Sequence, residues 1–180
     1  LVVKPRTRCD ETWELLGAGA KALLVQTADD LLRVSARLME IGLAGALVQE
    51  LIPGPETRIE SYHVYVDTHG AIAGEFTGRK IRTLPATFGH STALEITQQE
   101  DLARLGSEIL DRVALRGVAK LDFKRGPDGA LHLLEINPRF TLWHHLGARA
   151  GVNLAALVYC DLVGSPRKPA VAARAGVRWC

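Results

Sequence analysis

The stretch Ala119–Phe140 decides the fold and reads AKLDFKRGPDGALHLLEINPRF. It contains two strand-like segments, AKLDFKR and ALHLLEI, which flank the dipeptide Asp128-Gly129. This dipeptide favours a two-residue type I′ hairpin loop, because both central residues need a positive φ. Counting outward from the loop predicts the cross-strand pairs Arg125–His132, Lys124–Leu133, Phe123–Leu134, Asp122–Glu135 and Leu121–Ile136. The sequence therefore predicts an antiparallel hairpin with a defined register.

The two faces of the predicted hairpin differ in chemistry. Alternation places four apolar side chains on the core face: Leu121, Phe123, Leu134 and Ile136. The other face carries Asp122 opposite Glu135, with Asn137 two residues further on, and carboxylates whose Cβ atoms lie ~5 Å apart repel each other. Three oxygen-bearing side chains suit a hard cation such as Mg²⁺, held together with phosphate oxygens. From the pattern alone, a metal site and an ordinary solvated face carry equal weight.

Composition excludes several classes of function. The chain has 180 residues, 47% hydrophobic and 23% charged, which is ordinary for a globular protein. Its net charge of +2 argues neither for nor against an anionic partner, but it has no basic run and few aromatics to stack bases, so we expect no nucleic-acid partner. No apolar window reaches 18 residues and no signal peptide opens the chain, so we expect no membrane segment. Three widely separated cysteines form no disulfide framework, which favours a cytoplasmic location.

The first fifty residues predict a small α+β lobe. The strand-like LVVKP ends at Lys4, and Gly17–Ala22 has the spacing of a dinucleotide fingerprint. That segment precedes the strand-like ALLV and not a helix, so a flexible glycine loop or a plain hairpin turn fits it better. Thr27 and Asp30 form a capping box that predicts a helix, and ALVQELIPG predicts a buried strand. The hinge to a second lobe is expected at Pro53–Pro55.

The second lobe is predicted to begin with an antiparallel pair, SYHVYVD and AIAGEFTGRKIR. Arg79, Lys80 and Arg82 lie within four positions of the second strand, with Lys80 and Arg82 predicted on one face and Arg79 on the other. Cations beside a carboxylate-bound metal complement a triphosphate. Basic residues on a strand edge otherwise serve to prevent aggregation.

Two helices flank the hairpin in this prediction. The first runs over residues 97–115 and begins with a capping box of Thr97 and Glu100. The second runs over residues 146–163, and the Pro/Ala-rich tail after it has the composition of a linker. The chain starts at Leu1 and stops in GVRWC, both in strand-like sequence, so we expect a fragment of a longer protein.

The segment LLEINPRF, preceded by the strand that holds Asp122, resembles the metal-binding signature of the ATP-grasp superfamily. The continuation TLWHHLGARAGVNLAALVYCDLVG is similar to predicted carboligases related to biotin carboxylase, carbamoyl-phosphate synthase and D-aspartate ligase. The resemblance extends from Val2 to about Gly164. It implies the α+β ATP-grasp fold, with a small lobe at 1–53, a larger lobe with an antiparallel sheet at 54–164, and a tail at 165–180.

The same resemblance assigns roles to individual residues. The implied nucleotide-binding set has six members: Lys4, Lys21, Glu50, Leu51, Ile52 and Glu56. Within it, the two lysines contact phosphates, the hinge residues meet the adenine, and Glu56 accepts hydrogen bonds from the ribose hydroxyls. The implied metal ligands are Asp122, Glu135 and Asn137. The implied catalytic cations are Arg139, Lys80 and Arg82.

The resemblance further implies a ligase that uses ATP with Mg²⁺ or Mn²⁺ to phosphorylate a carboxylate, giving an acyl phosphate that an amine attacks. Its expected partners are small-molecule carboxylates and amines, and a homodimer is compatible with the family. His90, Ser91 and Thr92 are candidates for the acceptor side, while His144 and His145 are assigned to packing or to the acceptor site. A nucleotide-binding regulatory module and a biotin-carboxylase-type carboxylase are the alternatives.

Overall fold

A computed structural model describes residues 1–6, 13, 15, 21–42 and 45–180. The glycine segment at 17–19, predicted to form a loop, lies outside the described residues. The chain forms two compact units, Leu1–Ile52 with Thr87–Gly89 and Pro53–Ala86 with His90–Cys180. Within the described residues, no helix is both long enough and apolar enough to cross a membrane.

The first unit contains a three-stranded antiparallel sheet and one described helix. The strand order is β2-β1-β3, and the elements are β1 (Val2–Pro5), β2 (Leu23–Leu24), α1 (Ala28–Glu40) and β3 (Ala46–Gln49). The predicted capping box is confirmed, because the Thr27 hydroxyl accepts from the Asp30 amide at 3.1 Å and the Asp30 carboxylate accepts from the Thr27 amide at 3.0 Å. The prediction that β3 is buried is wrong, since Leu47 and Val48 are exposed.

The second unit is built on a six-stranded antiparallel sheet of order β8-β7-β4-β5-β6-β9. Its strands are β4 (Ile59–Val66), β5 (Ile72–Leu84), β6 (His90–Thr97), β7 (Gly117–Arg125), β8 (Leu131–Asn137) and β9 (Arg178–Trp179). Its helices are α2 (Glu100–Arg112), α3 (Trp143–Ala150) and α4 (Leu154–Leu162), with a short 3₁₀ helix at Glu56–Arg58.

Both faces of this sheet pack against helices. Tyr62, Leu121 and Phe123 lie on one face with Leu102 of α2 in a fully buried cluster. The opposite face packs against α3 and α4 through a second buried cluster, which includes Phe76, Leu94, Ile96, Trp143, Leu146 and Leu154. Gly106 makes the close approach of α2 possible, because a Cβ at that position would lie 2.2 Å from the Tyr62 ring. The strand centres are therefore buried on both sides. The polar side chains of the candidate site lie on the face that packs against α3, near β8.

The predicted two-residue loop of the β7–β8 hairpin is wrong. Gly126 donates to the Ala130 carbonyl at 2.8 Å, and Gly129 donates to the Gly126 carbonyl at 3.1 Å. The loop thus has three residues, with Gly129 at φ +84°, a conformation in which glycine is favoured. The pairs beside the turn are consequently Arg125–Leu131, Lys124–His132 and Phe123–Leu133, each one residue away from the prediction.

A second irregularity restores the predicted register further from the turn. The pairing shifts between Asp122 and Phe123, where Leu134 is the extra residue of β8. The predicted pairs Asp122–Glu135 and Leu121–Ile136 are therefore confirmed. On the core face, Leu131 and Ile136 are the β8 side chains that pack against the buried cluster, and not the predicted pair Leu134 and Ile136.

Two helix predictions also need correction. The capping box of Thr97 and Glu100 is wrong, because Thr97 is the last residue of β6 and the Thr77 hydroxyl accepts from the Gln99 amide at 3.1 Å. The single helix over residues 146–163 is also wrong. Gly151 ends α3 at φ +114°, and α4 begins after Asn153, whose side chain accepts from the Ala156 amide.

Candidate functional site

Asp122 is the buried centre of the polar face. It is 3% exposed on β7, where its Oδ2 lies 2.6 Å from Lys120 Nζ. The Ser61 hydroxyl donates to its Oδ1 from the neighbouring strand β4, where Ser61 is its cross-strand partner. Burial raises the pKa of Asp122, but the charges of Lys120 and Lys80 outweigh burial and hold this pKa below its ordinary value. The carboxylate is therefore ionised at neutral pH.

Glu135, Asn137 and Arg139 continue the site along β8. Glu135 lies opposite Asp122, and Asn137 lies opposite Lys120. The Asn137 amide donates to Glu135 Oε1 at 2.9 Å, and Arg139 Nη2 donates to Asn137 Oδ1 at 3.2 Å. The structure thus brings the three predicted metal ligands and one predicted catalytic cation together.

The three cationic side chains of β5 have different surroundings. Burial lowers the pKa of Lys80, which interacts electrostatically with Asp122 and Lys120 and so belongs to this site. Arg79 forms an ion pair with Glu95 at 2.6 Å. The prediction that Lys80 and Arg82 share a face is wrong: Lys80 pairs with Leu94 and Arg82 with the adjacent Ala93, so an irregularity reverses the alternation. The exposed Arg82 donates to Thr92 at 3.0 Å, and its catalytic role stays a prediction.

Glu56 lies at the same side of the sheet as the lysines. It opens the 3₁₀ helix, and its Oε1 is 3.7 Å from Nζ of the buried Lys124. The charge of Glu56 also acts on Lys80. The predicted ribose ligand is thus placed beside Lys124 and Lys80, although its contact with a ribose stays a prediction.

Lys120, Lys124 and Ser61 belong to the site but were not predicted for it. Alternation in AKLDFKR already places Lys120 and Lys124 on the same face as Asp122, so the signal for the two lysines was present in the sequence. Ser61 is different, because its contact depends on β4 lying next to β7 in the sheet. Strand order is decided by the tertiary structure.

Two histidines lie beneath these residues. His63 is fully buried, stacks on Phe76 with ring centroids 4.4 Å apart, and meets the edge of His144 at 5.3 Å. Neither ring nitrogen of His63 has a hydrogen-bond partner in the described part of the chain. Burial and the charge of Lys120 lower the pKa of His144 to about 4. The buried His144 packs against His63 and Phe140, whereas His145 is exposed, and an acceptor role for either residue stays a prediction.

The remaining predicted residues belong to other elements of the chain. Lys4 is on β1 opposite Leu47, and Lys21 is exposed before β2. Glu50, Leu51 and Ile52 follow β3 at the end of the first unit. Of the predicted acceptor residues, His90 begins β6, Ser91 pairs with Thr83, and Thr92 accepts a hydrogen bond from Arg82. The roles of all these residues stay predictions.

The donor set fits a magnesium ion. The described residues contain no cluster of three carboxylate, imidazole or thiol side chains. A cation here would be held by the carboxylates of Asp122 and Glu135 and by the amide oxygen of Asn137, all hard oxygen donors of the kind Mg²⁺ prefers. Each carboxylate oxygen has two lone pairs, so the hydrogen bonds to Asp122 leave acceptor capacity for a cation.

This antiparallel sheet therefore places a carboxylate pair, an asparagine and several lysines on one face. Residues 44–180 match the family described as ATP-grasp in the biosynthetic pathway with Ter operon, and the chain belongs to this family. The predicted superfamily and the α+β ATP-grasp fold are thereby confirmed. Among curated proteins, none matches the chain.

Solved structures share the fold at low sequence identity. The ADP complex of PurK, N5-carboxyaminoimidazole ribonucleotide synthetase, is 14% identical with a TM-score of 0.65, and the alignment covers 98% of this chain and 43% of that one. The biotin carboxylase domain of 2-oxoglutarate carboxylase from Hydrogenobacter thermophilus, in complex with MgADP, ADP and bicarbonate, is 15% identical with a TM-score of 0.67, covering 94% and 37%. Biotin carboxylase from Campylobacter jejuni is 14% identical with a TM-score of 0.65, covering 93% and 37%. The chain thus spans less than half the length of these proteins.

Proposed function

We propose that this chain carries the MgATP site of a ligase that phosphorylates a carboxylate and transfers the acyl group to an amine. The observation that carries the proposal is the facing pair Asp122 and Glu135, surrounded by Lys80, Lys120 and Arg139. The bound ADP and MgADP of the PurK and Hydrogenobacter structures support a nucleotide at this fold.

Asp122, Glu135 and Asn137 would hold the magnesium ion. When bound, this ion supplies charge neutralisation at the phosphate oxygens. Glu56 would accept hydrogen bonds from the ribose, and Leu51 and Ile52 would present backbone groups to the adenine.

In the first step, a carboxylate oxygen of the substrate attacks the γ-phosphorus, and the bond to the oxygen bridging the β- and γ-phosphates breaks. ADP leaves and an acyl phosphate forms. Lys80, Lys120 and Arg139 stabilise the charge on the equatorial oxygens, with Lys4 and Lys21 assigned to the same phosphates. In the second step, an amine nitrogen attacks the acyl carbon, inorganic phosphate leaves, and the amine loses a proton. The side chains position and stabilise charge, and no protein nucleophile is required.

The test is an ADP-release assay with MgATP and a panel of carboxylates and amines, with bicarbonate as one member of the panel. We expect ADP release that requires a carboxylate, and an amide product when an amine is added. Glu135→Gln should abolish the stimulation. Stimulation by bicarbonate alone would support a carboxylase instead, and nucleotide binding without turnover on any substrate would support a regulatory module.

A further inference from the structure

Both oxygens of Asp122 are engaged by the protein itself, but by groups of different kinds. Lys120 Nζ lies 2.6 Å from Oδ2 as a full positive charge, and the side chains are only 10% and 4% exposed. Ser61 donates a neutral hydrogen bond to Oδ1 and is completely buried. The carboxylate that we assign to the metal is therefore already neutralised by a resident cation.

Lys120 is held at this position by little else. Its ammonium group lies 5.4 Å from the centre of the Trp143 ring, and its cross-strand neighbour is the uncharged, buried His63. Asp122 is its carboxylate partner within the described part of the chain. The other charged groups of this site, among the described residues, are Lys80, Lys124, Arg139, Glu56 and Glu135.

A second cation at Asp122 must therefore compete with Lys120. Two positive charges a few ångströms apart in a poorly solvated site repel strongly, because Coulomb energies grow as the effective dielectric constant falls. Lys120 can leave the carboxylate at low cost only if another anion receives its charge. In the proposed function, the phosphates of the nucleotide are that anion.

We propose that Lys120 is an exchangeable counter-ion that couples the binding of the divalent metal to the binding of the nucleotide. This inference rests on the proposed function. Without nucleotide, Lys120 occupies Asp122 and weakens its affinity for metal. With nucleotide, Lys120 moves to the phosphates and frees the carboxylate. Ser61 stays in place in both states and acts as a positioning residue. Because coupling between two ligands is reciprocal, metal must strengthen nucleotide binding by the same factor.

The two partners of Asp122 should respond to substitution with opposite signs. Lys120→Met removes the competing cation, so the affinity for Mn²⁺ alone should rise about tenfold, equivalent to about 1.4 kcal/mol. Ser61→Ala removes a group that orients a metal ligand, so the same affinity should fall at least ~10-fold. A general loss of structure would lower the affinity in both variants.

The experiment measures Mn²⁺ binding by electron paramagnetic resonance, with and without saturating ADP, for the wild type and each variant. We expect the factor by which ADP strengthens Mn²⁺ binding to shrink about tenfold in Lys120→Met. Lys80→Met is the matched control, since it removes the same charge from the same face but not a hydrogen bond to Asp122. Its effect on Mn²⁺ binding without ADP should be smaller than that of Lys120→Met.

An unchanged or weakened affinity for Mn²⁺ alone in Lys120→Met, or an unchanged coupling factor, would overturn the counter-ion inference. If circular dichroism shows that this variant does not fold, Lys120→Arg decides. The arginine keeps the charge and can bind a carboxylate through two donors. Mn²⁺ alone should therefore bind to Lys120→Arg more weakly than to the wild type. Binding that is equal to or tighter than in the wild type would overturn the inference. A wild-type protein that binds neither Mn²⁺ nor ADP would instead refute the proposed function, so the two failures are distinguishable.

Discussion

Asp122 on β7 lies directly opposite Glu135 on β8, so two carboxylates share one position of the six-stranded sheet. Their environments differ, because Asp122 is buried and paired with Lys120, whereas Glu135 is exposed and accepts a hydrogen bond from Asn137. The two residues should therefore have the same role towards a metal but different roles in stability.

The first prediction follows from this difference. In EDTA, Asp122→Asn should destabilise the protein by ~3 kcal/mol, because it leaves the buried charge of Lys120 without its partner. Glu135→Gln should change the free energy of unfolding by no more than ~0.5 kcal/mol, as exposed substitutions usually do. Thermal unfolding in EDTA measures both.

The same two variants test the metal site. MgATP at a hundredfold excess over its Kd stabilises the folded state by about 2.7 kcal/mol, and both substitutions should remove at least half of this gain. Glu108→Gln, an exposed carboxylate on α2, should keep all of it. A full MgATP gain in Asp122→Asn would show that Asp122 is a structural ion-pair partner and not a metal ligand.

The second prediction concerns Glu56. Glu56→Gln should weaken the binding of ATP by about 1.5–3 kcal/mol, the usual value of a hydrogen bond to a charged group. The binding of 2′,3′-dideoxy-ATP should be almost unchanged, because it lacks the hydroxyls that Glu56 is proposed to bind. Calorimetry gives both affinities, and equal losses would contradict the assignment.

The third prediction separates the phosphate cations. Lys80→Met should weaken ATP binding at least tenfold, because Lys80 lies beside Asp122 and Lys120. Arg82→Met should have a smaller effect, since Arg82 is exposed and bound to Thr92. Lys4→Ala and Lys21→Ala should weaken ATP binding while leaving stability within ~0.5 kcal/mol. If calorimetry shows that Lys80→Met and Arg82→Met lose the same amount of ATP affinity, the proposed difference between Lys80 and Arg82 in phosphate binding is wrong.

The fourth prediction concerns pH. Burial lowers the pKa of His63 well below its ordinary value, and burial lowers that of His144 to about 4. The unfolded chain binds protons at these residues from about pH 6.5 downward while the folded protein does not, so stability should fall as pH falls from about 6.5 to about 4. Each unit of pKa difference corresponds to about 1.4 kcal/mol, so the loss from His144 should reach ~3 kcal/mol at pH 4, and His63 should add to it in the same direction.

A variant tests the origin of this pH dependence. His63→Leu keeps a similar volume and cannot be protonated, so it should lose less stability than the wild type between pH 7 and pH 4.5. The exposed His145→Gln should follow the wild type. Denaturant titrations at several pH values give the comparison, and parallel curves for His63→Leu and the wild type would contradict the assignment.

Local patterns predicted the elements that depend on neighbouring residues. The capping box of Thr27 and Asp30 was predicted correctly, because both of its hydrogen bonds lie within four residues. The facing of Asp122 and Glu135 was also predicted correctly, although the loop was not. The three-residue loop displaced the register by one, and the extra residue Leu134 restored it. Because the longer loop and the extra residue shift the register in opposite directions, counting alternating residues from the predicted loop still gave the correct partner of Asp122.

Other features failed because they depend on long-range packing. The Thr97–Glu100 pattern resembles a capping box, but pairing with β5 holds Thr97 in the sheet and Thr77 binds the amide before the helix. Arg82 was assigned the face of Lys80 because alternation was assumed to continue through the irregularity in β5. Lys120 was not predicted for the site, although alternation along β7 places it on the same face as Asp122.

The sequence by itself determined which residues of the hairpin face each other and which carry oxygen ligands, since side-chain alternation within a strand is a property of the backbone. It also determined the family, through the order of Asp122, Glu135, Asn137 and Arg139. Only the tertiary structure decided what surrounds Asp122. Ser61 reaches it from β4 because β4 pairs with β7, and the helix α3 closes the same face through Trp143. Alternation within β7 already places Lys120 beside Asp122, but only the pairing of strands distant in sequence brings the hydroxyl of Ser61 to the same carboxylate and buries it.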